Sequence, residues 1–171
     1  MKKILLALFL LPLLAYSYAD WVDLEIDKRM TVSLPVNPEK KDLNGNETWV
    51  ADVNSDARCL VVVVDFSRFG LDSAGVANEM GNEKSFEEFK TGLLGQIPDA
   101  KVISEVNTTY NGKRCFEFIV DMGKKDTSAL NKMYNKNIFI GSKMYSFSFY
   151  EKNHSSQRVS KDKFFNSIRI K

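Results

Sequence analysis

Two dipeptides constrain this chain more than any other feature. Asn111-Gly112 lies between the runs 101–110 and 113–122, and Gly141-Ser142 lies between 133–140 and 143–150. Asn-Gly suits a type I′ turn and Gly-Ser a type II′ turn, the two tight turns whose twist matches that of paired strands. Two hairpins in succession predict an antiparallel sheet. Further strands are expected upstream. Val22, Leu24 and Ile26 alternate with Asp23, Glu25 and Asp27, and Met30, Val32 and Leu34 alternate with Thr31 and Ser33. Pro35 and Pro38 end the second of these, Asn44-Gly45 marks a turn, and 49–53 is a short strand. Leu60 to Val64 is apolar throughout, which predicts a central strand over 59–66 covered on both faces.

Helices are expected in two places. Ser85-Phe86-Glu87-Glu88 has the form of a capping box. Phe86, Phe89, Leu93 and Ile97 follow at helical spacing, and Pro98 stops the run. A short closing helix is expected near 160–167, anchored by Phe164 and Phe165 and followed by Ile168 and Ile170. The stretch 67–84 reads as a long Gly-containing connection with a helical turn around 74–80. The predicted class is α+β: an antiparallel β-sheet of about six to eight strands packed by helices.

The N-terminus carries an address. Lys2 and Lys3 precede an apolar run from Ile4 to Ala15, and Ser17, Tyr18 and Ala19 stand before Asp20. This is the layout of a cleaved secretory signal peptide over residues 1–19. The run is shorter than the ~20 apolar residues that span a bilayer, so no integral membrane segment is expected after cleavage. A single domain over 20–171 should follow, in the periplasm or released as a secreted protein. Cleavage takes away Lys2 and Lys3 and leaves 22 basic against 22 acidic side chains. A neutral domain is not the electrostatic footprint of a nucleic-acid binder.

Catalytic and metal chemistry find little to use. The lone His154 sits among Asn153, Ser155 and Ser156 with no separated base-and-orienter set of a triad. Asp52 to Asp56 starts like a calcium loop, but Ala57 and Val63 stand where the glycine and closing glutamate belong. Gly112-Lys113 and Gly123-Lys124 lack the rest of a phosphate loop. No enzyme activity, metal or cofactor is expected. Cys59 and Cys115 have two readings: a disulfide in an oxidising compartment, or two buried thiols.

Two surfaces are candidates for a partner or ligand. In the second hairpin, Asn135 should face Ser148 and Asn137 should face Ser146, forming a polar strip flanked by Phe139 and Met144. The strip suits a peptide or small ligand, or is a sheet face under a helix. In the connection 67–84, Phe69, Leu71, Val76 and Met80 form an apolar lip for a partner, or tuck under the loop as a satellite of the core.

The order of these elements resembles the PsbP-like family, the fold of the photosystem II extrinsic protein PsbP and of the Ran-binding factor Mog. The residues that carry the resemblance are Val32-Ser33-Leu34-Pro35, Ser85 to Phe89, Asn111-Gly112-Lys113, the Tyr-containing strand 144–150 and Phe164 to Ile168. The resemblance implies a sheet with helices on its faces and a non-enzymatic role in binding other proteins, here as a bacterial exported member. The expected function is an adaptor of the cell envelope with an envelope protein partner. The alternative is a carrier of a small apolar or lipidic ligand.

Overall fold

A computed structural model describes residues 20–171 apart from Gln96, Pro98, 124–128 and His154. The signal peptide expected over 1–19, the helix stop expected at Pro98 and the loop expected at His154 lie outside the described residues. Both predicted hairpins form. Strands β6 (Lys101–Tyr110) and β7 (Lys113–Asp121) turn at Asn111 and Gly112, whose φ values of 47° and 73° are those of a type I′ turn. Strands β8 (Lys132–Ile140) and β9 (Lys143–Glu151) turn at Gly141, where φ is 61°.

The opening hairpin is β1 (Trp21–Asp27) and β2 (Met30–Pro35). It does not join the main sheet. β2 instead pairs with the terminal β10 (Arg169–Ile170), giving a three-stranded sheet ordered β1-β2-β10. The main sheet has seven strands in the order β3-β4-β5-β9-β8-β7-β6, all neighbours antiparallel. β3 (Glu39–Leu43) was not legible in the sequence. Its residues are all exposed and mostly charged, so no apolar alternation marks it. β4 (Asn46–Asn54) is longer than the short strand expected over 49–53. β5 (Ala57–Asp65) is central as predicted, but only one of its faces is closed. Ala57, Cys59, Val61 and Val63 are buried, while Leu60, Val62 and Val64 are half-buried.

The seven-stranded sheet carries a separate core on each face. On the first, Val61, Ile138, Tyr145, Phe147 and Phe149 pack against Val32 and Leu34 of the small sheet and against Phe164 of α3 (Arg158–Asn166). On the second, Phe116, Phe118, Val120, Phe139 and Met144 pack under α1 (Ser73–Gly81) and α2 (Glu83–Gly95). The helix α1 exceeds the single turn expected there, and Asp72 caps it by accepting from the Gly75 N–H at 2.7 Å. α2 starts two residues before the expected Ser85. Asn82 is its cap, accepting from the Ser85 N–H at 3.1 Å, and this places Ser85 inside the first turn. Asn82 also ends α1, its backbone N–H donating to the Asn78 and Glu79 carbonyls, so one residue divides the two helices.

Candidate functional site

The polar strip has the predicted register: Asn135 pairs with Ser148 and Asn137 with Ser146. It does not face solvent. All four residues are buried on the second face, among the side chains that α1 and α2 cover. Asn135 donates to Ser148 Oγ at 2.6 Å and to Ser146 Oγ at 2.9 Å, and its Oδ1 accepts from Asn137 Nδ2. Asn137 also reaches the Phe116 carbonyl at 3.4 Å. The amides spend their hydrogen bonds on one another, so the strip is an internal network.

The lip is divided. Met80 is buried in α1 and Leu71 is partly buried against the same core, which is the satellite arrangement. Phe69 stands apart, 69 % exposed, at the end of a 3-10 turn.

Cys59 and Cys115 are free, buried thiols. The disulfide reading is therefore corrected. β9 and β8 lie between the two host strands, so three strand spacings of ~4.8 Å separate the cysteines. They are also offset along the strands, Cys59 opposite Phe149 and Cys115 opposite Ile138, which itself faces Tyr145. A bridge needs Cα atoms within about 7 Å. Burial raises both thiol pKa values, that of Cys115 to about 12, so neither is a ready nucleophile. No group of three or more His, Cys, Asp or Glu side chains able to hold a metal ion occurs among the described residues.

The open surface of the molecule lies at the far edge of the main sheet. The layer of β1, β2, β10 and α3 covers the first face only as far as α3. Beyond it the sheet continues bare through Ile119 of β7 and Ser104 and Val106 of β6. A groove of about 220 Å³ runs between this strip and α3, closed on the helix side by Lys161 and Phe165 and floored by Tyr134 and Lys136. Lys136 is held by Glu117 at 3.2 Å and lies over the Tyr110 ring at 4.7 Å. Lys161 lies 3.8 Å over the Tyr134 ring. The Tyr134 hydroxyl donates to Glu151 at 2.8 Å, and burial together with that carboxylate raises the phenol pKa. A polar cleft of about 490 Å³ continues past Tyr134 and Lys161 towards Gln157 and Arg158.

The two edges of the main sheet contrast. β3 is five residues long and presents Glu39, Lys40, Lys41 and Asp42, the charged edge that discourages strand addition. β6 is ten residues long and exposes Val102, Ile103 and Val106, the last at 50 %. Its only irregularity is a register shift between Val102 and Ser104. The local pattern of 101–110 predicts a strand but not an edge, because strand order is not written in any one strand. The apolar Val102, Ile103 and Val106 among polar neighbours were the available signal.

The architecture defines a class: a large antiparallel sheet covered by helices on one face and by a small sheet and a helix on the other. Within that class the chain has the PsbP-like fold. The solution structure of cyanobacterial PsbP (CyanoP) from Synechocystis superposes with a TM-score of 0.55 at 11 % identity, covering 92 % of this chain and 96 % of that one. The Ran-binding protein Mog1p of Saccharomyces cerevisiae superposes with a TM-score of 0.48 at 8 % identity, covering 89 % and 96 %. No protein-family model matches the chain, and no curated protein sequence matches it. Among the described residues no helix is long and apolar enough to cross a membrane.

Proposed function

We propose that this protein is a non-catalytic binding protein of the bacterial cell envelope, exported by residues 1–19, that acts as an adaptor by taking an extended segment of a partner protein along β6. The observation that supports it is the asymmetry of the main sheet: one edge is short and charged, the other long and exposing Val102, Ile103 and Val106. An exposed edge offers a row of backbone N–H and C=O groups to an incoming strand. Strand addition draws affinity from those main-chain bonds and specificity from pockets for alternate side chains. The groove beside Val106 lies where alternate side chains of an added strand would project.

Crosslinking of the tagged protein in its own envelope, with crosslinked residues mapped by mass spectrometry, tests this reading. Crosslinks should fall on 101–110 and on Lys161. Val106→Lys, a change at an exposed position, should remove them while leaving the thermal melt in place. Crosslinks mapped to another surface, or untouched by Val106→Lys, would remove β6 from the role. N-terminal sequencing of the fractionated protein checks the export step, and a first residue other than Asp20 would move the cleavage site.

A further inference from the structure

The second face of the main sheet ends in a small chamber that the partner-binding reading does not use. α1 crosses the end of the sheet where the two hairpin turns, Asn111-Gly112 and Gly141-Ser142, come together. Between the helix and the turns lies a cavity of about 230 Å³. Val76 and Met80 of α1 and Phe139 of β8 form its apolar interior, and all three are buried. Gly112 and Gly141 line the mouth with bare backbone, and a side chain at Gly112 would meet no atom within 4 Å. Ala77 lies at the rim on the exposed side of α1.

Arg114 stands at that rim; Lys113 borders it too, but as the preceding residue of the strand its side chain leaves from the opposite face, on the side of Cys115. The Arg114 guanidinium is held 4.1 Å from the Phe86 ring centroid, and among the described residues neither cation makes an ion pair or side-chain hydrogen bond with a carboxylate. Lys90 and Lys136, by contrast, each have a carboxylate within 3.2 Å. An apolar chamber with uncompensated positive charge at its mouth matches a guest with an apolar body and an anionic end. A carboxylate suits the rim because a guanidinium binds it through two parallel hydrogen bonds. The volume sets the size. It is below the ~300 Å³ at which drug-sized sites begin, and holds the volume of about seven or eight waters at ~30 Å³ each.

We infer that this chamber binds a short linear acyl carboxylate, of about six to eight carbons on that volume, with its tail against Val76, Met80 and Phe139 and its carboxylate at Arg114. No residue of β6 itself lines the site, so a partner strand and an acyl ligand can be tested apart.

The test is a titration of the isotopically labelled protein followed by amide chemical shifts, with sodium butyrate, hexanoate and octanoate, 1-hexanol and N-acetyl-leucine as probes. Saturable shifts should cluster at Val76, Ala77, Gly112 and Gly141. Affinity should rise about fourfold per added methylene until the cavity is full. Hexanol should bind about tenfold more weakly than hexanoate, and Arg114→Gln should weaken hexanoate to a similar degree. Lys113→Glu, at an exposed position whose side chain leaves from the opposite face, keeps the fold and should change hexanoate binding little. Ala77→Trp, which fills the mouth from an exposed helix position, should abolish binding with the remaining spectrum unchanged. Absent or dispersed shifts would overturn the site. Equal binding of hexanol and hexanoate would overturn the role of Arg114, and tighter binding of N-acetyl-leucine than of hexanoate would replace the acyl chain with a peptide C-terminus.

Discussion

Asn135 and Ser148, thirteen residues apart in the chain, stand directly opposite on β8 and β9 and share a 2.6 Å hydrogen bond inside the core. The same amide serves Ser146 and accepts from Asn137, so one side chain satisfies three others. The network is nearly closed: only Asn137 Oδ1 has no partner among the described residues. Asn135→Leu should therefore destabilise the protein by about 2–3 kcal/mol, since it leaves buried polar groups unpaired. Replacing all four residues by Val, Val, Ala and Ala should restore stability to within about 1 kcal/mol of the parent, because the whole polar set then leaves the core together. Urea denaturation of both variants checks the pair of outcomes.

Lys90 ties α2 to the edge strand. Its ammonium lies 2.8 Å from Glu87 and 3.2 Å from Glu105 of β6, with the side chain 7 % exposed. It also lies over the Phe86 and Phe116 rings. The hydrogen bond to Glu87 leads in raising its pKa, so the charge is well held. Lys90→Ala should cost about 1–3 kcal/mol, combining lost packing of the stem with loss of the bridge. Glu105→Gln should cost less, because Glu87 remains. Hydrogen exchange should show the β6 amides losing protection first in Lys90→Ala.

The thiols give a direct check of strand order. Cys59 and Cys115 should both be unreactive to a thiol reagent in the folded protein and both react, as two free thiols, in denaturant. Intact mass after alkylation under denaturing, non-reducing conditions distinguishes this from a bridge, which would leave the mass unchanged. A bridge would require β5 and β7 to be neighbours.

Asp27 sets part of the acid stability. Burial opposes its ionised form, but the Tyr145 hydroxyl at 2.5 Å, the Arg29 N–H at 2.9 Å and Lys143 at 3.4 Å outweigh it and lower the pKa. A carboxylate with a lowered folded pKa contributes stability that is complete above its unfolded value, about pH 4, and is lost as pH falls through the folded value. Asp27→Asn should lower the melting temperature at pH 7 and make its decline below about pH 4 shallower. The decline will not vanish, because Asp56 and Asp65 are lowered too. The Tyr145 phenol is raised by burial and then by Asp27, so its contribution runs the other way: present below about pH 10 and lost as pH rises further.

Much of the fold was legible because its information is local. Asn111-Gly112 and Gly141 force left-handed backbone that few residues other than Asn and Gly adopt, so turn chemistry alone placed four strands. The register of Asn135 and Asn137 followed from a two-residue turn, which leaves no freedom to slip. The capping of α2 was misplaced by three residues because Asn82 and Ser85 both have side chains able to cap, and the geometry at the end of α1 selects Asn82. β3 left no apolar trace to read.

From its residues alone the chain determines that it folds as antiparallel hairpins with two amphipathic helical stretches, since tight turns and alternation act over a few residues. The tertiary structure decided what those elements are for. Only the order of strands makes β6 an edge, separates Cys59 from Cys115, and closes α1 and α2 over the polar strip. Only the convergence of two turns beneath α1 leaves the chamber with Arg114 at its rim. Those are contacts between residues far apart in sequence, settled by how separate apolar faces bury one another, and no local pattern encodes which strand will lie beside which.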